Sequence, residues 1–87
     1  MIASKLLNAI ARVLDSAALV GPEANLEKLV DALRTVQHEL HAGLDEIDSA
    51  TNDIERLHAM QHWNSRAAWA EQLVSALCDA LEQPIPT

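Results

Sequence analysis

The sequence predicts an all-α fold of three helices. Apolar residues recur at spacings of three, four and seven, which is typical of helices packed against one another. Only two Gly and three Pro interrupt the 87 residues, and no segment alternates β-branched and polar residues as a half-buried strand does. We therefore predict one helical domain over residues 1–82, followed by an extended Pro-containing tail over residues 83–87.

The first helix is predicted over residues 2–20. Gly21 and Pro22 then separate it from the next helix, because Gly suits a helix end and Pro in a first turn lacks only an amide that is unpaired there. The apolar face that predicts this helix consists of Ile2, Leu6, Ile10, Val13, Leu14 and Ala17.

A long middle helix is predicted over about residues 22–62, because apolar residues keep a seven-residue phase along it. Such a helix of about 40 residues would span about 60 Å, which neither remaining helix could cover. The alternative is a compact four-helix bundle with a break near residues 48–53, where Asn52 and Glu55 have the spacing of a capping box. These apolar residues occupy two positions of the seven-residue repeat, which form the seam of the helix: Leu26, Leu33, Leu40, Ile47 and Ile54 at one, and Leu29, Val36, Ala50 and Leu57 at the other.

The third helix is predicted to begin at Asn64 or Ser65, since extending the previous seam would bury polar residues such as Gln61 and Glu71. Trp63 then falls at the predicted turn, where it would pack between helices two and three. Pro84 and Pro86 follow the helix, and its apolar stripe consists of Ala67, Ala70, Leu73, Val74, Leu77 and Leu81.

These lengths predict antiparallel helices in which each outer helix covers half of the middle helix. The strips left open would be closed by a second copy, giving a homodimer with a bundle-like cross-section. Trp69 stands about 100° off the third stripe, and an exposed Trp is a frequent anchor of protein interfaces. The predicted interface therefore consists of Leu26, Leu29, Leu33, Val36, Leu40, Ile47, Ile54, Leu57 and Trp69.

The net charge of −7, from 13 acids and 6 bases, disfavours direct binding of nucleic acid. No Lys or Arg stands between Arg34 and Arg56, so this stretch predicts an acidic surface, made of Glu39, Asp45, Glu46, Asp48, Asp53 and Glu55. Cys78 is the only cysteine, and no apolar run reaches 18 residues, so we expect a cytoplasmic protein with no membrane span.

The four histidines form two pairs, His38 with His41 and His58 with His62, at spacings that can chelate a metal from one helical face. All four fall outside the seam, so we expect exposed histidines and no metal. No Gly-rich phosphate loop or nucleophile motif is present, and Cys78 beside Asp79 is unsuited to forming a thiolate. We expect neither a cofactor nor enzymatic activity.

The functional hypothesis is a small acidic helical module that binds another protein, as an adaptor, a chaperone-like partner or an inhibitor that occupies a surface. The first alternative is an acidic decoy that occupies the basic groove of a nucleic-acid-binding protein, as some small phage inhibitors do. The second alternative is a helical protein that binds a metal through its histidines. Nothing in the sequence identifies the partner.

Overall fold

The computed structural model describes residues 2–20 and 24–84. They form three helices, α1 (Ile2–Val20), α2 (Ala24–Ser49) and α3 (Asp53–Leu81), with no strand in these ranges. The all-α fold of three helices is confirmed, and α1 has the predicted bounds. The predicted boundary at Gly21 and Pro22 lies outside the described residues.

The predicted bounds of the second and third helices are wrong. α2 ends at Ser49 rather than near residue 62, and α3 begins at Asp53 rather than at Asn64 or Ser65. The break lies within residues 48–53, where the alternative placed it, but it produces three helices rather than four. Trp63 and Asn64 therefore lie inside α3 and not at a turn.

The turn between α2 and α3 is formed by residues 50–52 and closed by side chains. Asn52, in an extended conformation, caps α3 by accepting a hydrogen bond of 2.8 Å from the backbone N–H of Glu55. The Glu55 carboxylate in turn accepts hydrogen bonds from the backbone N–H of Thr51 at 3.1 Å and from its hydroxyl at 2.9 Å. These hydrogen bonds stabilise a turn between the two helices, although the turn contains no Gly or Pro.

α2 and α3 form a long antiparallel hairpin, and α1 packs against both of its helices. The long dimension of the molecule, 45 Å, matches the length of about 43 Å expected for the 29 residues of α3. Because α1 contacts α3 as well as α2, the outer helices do not divide α2 between them as predicted. The core consists of Ile10, Val13, Ala17, Leu26, Leu33, Val36, Leu40, Trp63, Ala67, Ala70, Leu73, Val74, Leu77 and Cys78.

Trp63 joins α3 to the backbone of α2. Its indole Nε1–H donates a hydrogen bond of 2.9 Å to the carbonyl oxygen of Leu40, so the one polar atom of this buried side chain is paired. The ring also lies against Gly43, where an added Cβ would stand only 2.8 Å from Trp63 Cδ1. The predicted packing of Trp63 between the second and third helices is confirmed, although its predicted place at a turn is not.

α3 ends at Leu81 in a left-handed cap. Glu82 has φ 56° and ψ 42°, and its N–H donates to the carbonyl of Asp79 at 3.2 Å. The N–H of Gln83 donates to the carbonyl of Cys78 at 3.1 Å, which completes a Schellman motif. The predicted tail begins here, but residues 85–87 lie outside the described part of the chain.

We expect Gly43→Ala to destabilise the protein, although Ala favours a helix over Gly by about 1 kcal/mol. The new Cβ would overlap the indole of Trp63, and overpacking typically costs about 1–3 kcal/mol. The expected result is a lower midpoint of thermal unfolding by circular dichroism. In a Trp63→Leu background the same substitution should raise the midpoint, because only helix propensity then changes. Equal effects in the two backgrounds would contradict the contact.

The position of the second turn is tested by two asparagines. Asn52→Ala should lower the free energy of unfolding by about 1 kcal/mol, because the N-cap of α3 is lost. Asn64→Ala should leave this free energy unchanged or raise it by up to about 0.5 kcal/mol, because Ala is the better residue at an exposed position inside a helix. Urea denaturation measures both, and the opposite order would place the turn near residue 64.

Candidate protein-interaction surface

One end of the α2–α3 hairpin contains no buried residue. We call residues 44–62 the hairpin tip; the residues that flank it, Gly43 and Trp63, are both buried. Nineteen consecutive residues without a buried side chain are unusual in so small a helical domain, because amphipathic helices are stabilised by burying one face. The tip nevertheless contains five large apolar residues, Leu44, Ile47, Ile54, Leu57 and Met60.

Within the tip, the large apolar residues of α3 are exposed, and Ile54, the first of them, points away from the core. Nine residues, or two and a half helical turns, separate Ile54 from Trp63, so the two side chains leave α3 in opposite directions. Ile54 is 70% exposed, Leu57 54% and Met60 45%. These three residues, which we call the apolar ridge, follow one another at intervals of three along α3, and no described part of the chain buries them.

The phase change that the sequence shows near Trp63 is therefore real, but its cause is not a turn. α3 continues straight through it as one helix with two apolar faces, the apolar ridge near its start and the core face after Trp63. Leu44 and Met60 were not among the predicted interface residues. The sequence does contain a signal for Met60, which lies three residues after Leu57 and so continues the same row on a helix.

The hairpin tip carries most of the net charge of the chain. It contains five exposed acids, Asp45, Glu46, Asp48, Asp53 and Glu55, and a single base, Arg56, which makes −4 of the total of −7 with histidine neutral. The guanidinium of Arg56 lies 3.2 Å from the carboxylate of Asp53. Glu39, the sixth predicted acid, lies outside the tip, is half-buried and contacts Arg66 of α3 at 3.5 Å.

Hydrogen bonds keep one of these acids ionised. The N–H and then the hydroxyl of Thr51 hold the pKa of the Glu55 carboxyl below its usual value, since both bonds favour the charged form.

Elsewhere in the molecule, burial raises the pKa of the Cys78 thiol, and the charge of Asp79 adds to the rise. This shift agrees with the expectation that Cys78 is unsuited to forming a thiolate.

The predicted interface residues are divided between the core and the surface. Leu26, Leu33, Val36 and Leu40 are buried by the chain itself, and Leu29 and Ile47 are partly buried. Only Ile54, Leu57 and Trp69 are exposed. Trp69, 44% exposed, lies twelve residues after Leu57, about 18 Å further along α3, and so does not belong to the tip.

The predicted homodimer was inferred from a middle helix of about 40 residues that nothing could cover. The turn at residues 50–52 removes that reason, because α3 folds back along α2. Dimerisation stays a prediction, and the exposed apolar residues of the tip are the remaining argument for it.

The two histidine pairs lie in different grooves. His58 and His62 line a shallow groove between α2 and α3, together with Glu46 and Glu55. His38 and His41 line a separate groove between α1 and α2. All four are exposed, and among the described residues no group of three His, Cys, Asp or Glu side chains is placed to hold a metal ion.

Comparisons of the chain with models of protein families, with curated proteins and with solved structures found no match. Within residues 2–20 and 24–84, no helix has both the length and the apolar content that crossing a membrane requires.

The bonds at Glu55 predict a pH dependence of stability. Because its pKa is lower in the folded protein than the ordinary value of 4.5, the stabilisation is complete above about pH 5 and is lost as the pH falls through the folded pKa. We expect Glu55→Gln to lower the melting temperature at pH 7 and to reduce the drop in melting temperature between pH 6 and pH 3. Glu71→Gln, an exposed position in the middle of α3, is the matched control and should change neither.

Proposed function

We propose that this chain is a protein-binding module whose contact surface is the hairpin tip. The observation that carries the proposal is the apolar ridge, formed by Ile54, Leu57 and Met60, three exposed side chains of α3 of which Ile54 leaves the helix opposite Trp63. Exposed aliphatic side chains that follow a regular helical spacing form a contiguous patch, and such patches mark surfaces that another protein covers.

The proposal assigns different roles to the two halves of the hairpin. Residues before Gly43 and after Trp63 form the core with α1, so they supply stability. Of the tip, only Leu44 and Ile47 pack against that core, so the exposed residues of the apolar ridge are free to contact a partner without loss of the fold. The acidic decoy remains the alternative, supported by the five exposed acids of the tip; such a decoy would depend on charge and not on the apolar ridge.

A site-specific photocrosslinker tests the proposal. Placed at Leu57, it should join the protein to one discrete partner in extracts of the source organism. Placed at Gln72, an exposed position further along the same helix, it should yield no such product. Crosslinking at both sites alike, or only at Trp69, would contradict the tip as the contact surface.

The matched pair of substitutions separates binding from folding. Ile54→Ser with Leu57→Ser should abolish the crosslink formed from position 60 while the helical circular dichroism and the melting temperature stay within about 3 °C of the parent, a change of less than about 1 kcal/mol. Leu19→Ser, which alters a residue 89% exposed near the end of α1, should retain the crosslink. Retention by the double variant would favour the acidic decoy, because its charges are unchanged.

A further inference from the structure

Resting on the proposed function, we infer the chemistry of the partner: an amphipathic helix whose apolar stripe is flanked by lysine or arginine. The apolar ridge supplies the contact area, and the hairpin tip that carries it has five exposed acids and a single base. Two features of the tip carry this inference, the location of its acids relative to the helix ends and the spacing of the ridge.

The acids at the end of α2 oppose the stability of their own helix. Asp45, Glu46 and Asp48 lie in its last five residues, where the carbonyl end of a helix favours positive charge, and no base accompanies them in the last turn. Asp53 and Glu55 differ, because they begin α3 and favour its positive end. Helix capping therefore explains the acids at the start of α3 but not those at the end of α2. A cationic partner would offset the repulsion among the acids at the end of α2.

The spacing of the ridge favours a helical partner. The ridge consists of Ile54, Leu57 and Met60, which follow one another at intervals of three residues and extend about 9 Å along the helix axis. Grooves lie on either side of this row. A row of this kind packs against the grooves of another helix. The described residues contain no strand, so there is no sheet edge to which an extended peptide could add.

A second copy of this chain is a poor occupant of the same surface. Two tips in contact would place −4 against −4, from five acids and one arginine each, within the screening distance of about 8 Å at physiological salt. Like charges at an interface select against a partner, whereas a basic helix would complement the net negative charge of the tip. Charge therefore favours a different, cationic chain.

The probe is a synthetic helical peptide of 18 residues built only from Leu and Lys in an amphipathic order. Its binding to the whole protein is measured by fluorescence anisotropy at 50 and 300 mM salt. We expect it to bind at least about tenfold more tightly than a peptide with Glu in place of Lys, and more tightly than a Leu and Lys peptide of scrambled order. Affinity should fall as salt rises, because the charges of the tip contribute to binding.

Paired variants locate the binding. Ile54→Ser with Leu57→Ser should weaken binding at least tenfold, and Asp45→Asn with Asp48→Asn at least threefold, without loss of stability. The matched controls lie away from the tip: Leu19→Ser for the apolar change and Glu71→Gln with Asp79→Asn for the loss of two charges. Both controls should change affinity by less than twofold.

Three results would overturn the inference. If the control variants lose as much affinity for the peptide as the tip variants do, the peptide is attracted by the overall negative charge of the protein and not by a site at the tip. Equal binding of the Glu peptide or the scrambled peptide would exclude a cationic helix, while a crosslink from Leu57 would still support the proposed function. Sedimentation that shows a dimer, dispersed by Ile54→Ser with Leu57→Ser, would assign the ridge to a second copy.

Discussion

The contact of Trp63 with the backbone of α2 sets the register of the hairpin. The indole lies on Gly43 and donates its N–H to the carbonyl of Leu40, so a bulky side chain is accommodated only where α2 has no Cβ. A hydrogen bond to a backbone carbonyl fixes a position along the helix, which apolar packing alone does less strictly because it is not directional. The core begins at this contact, and the residues on its far side form the tip.

The same contact explains why α3 can carry two apolar faces. From Trp63 onward α3 supplies half of the buried core, and small residues such as Ala67 and Ala70 allow close packing against α1 and α2. Before Trp63, α3 is held only by its N-cap at Asn52 and by the neighbouring α2, so its apolar residues need not face inward. Ile54 and Leu57 are therefore exposed on the part of α3 that extends beyond the core.

The acids of the tip form two groups, one at the start of α3 and one at the end of α2. Asp53 and Glu55 stabilise the first turn of α3, and Glu55 also closes the turn through its bonds to Thr51. The acids at the end of α2 have no such partner among the described residues. Placing them there weakens α2 at its end, because the carbonyl end of a helix favours positive charge.

The sequence by itself determined the helical class, the bounds of α1, the apolar stripe of α3 after Trp63 and the acidic segment, because periodicity and composition are local properties. It also contained two candidate signals for the second turn, the Asn52–Glu55 capping pair, which marks the turn, and the phase change near Trp63, which does not. It could not rank them, since Ile47 and Ile54 stay seven residues apart whether a helix or a turn joins them.

Only the tertiary structure decided between these signals. The capping bonds close the turn after α2, and the burial of Trp63 against Gly43 requires α3 to fold back along α2. The phase change near Trp63 is therefore a change in the apolar face of α3 and not a turn. That outcome buries Leu33 and Leu40 and exposes Ile54, although all three share one seam position, and at the other seam position it buries Val36 and exposes Leu57. A seven-residue period records which residues share a face of one helix, whereas burial depends on which helix lies opposite, and that is a long-range property.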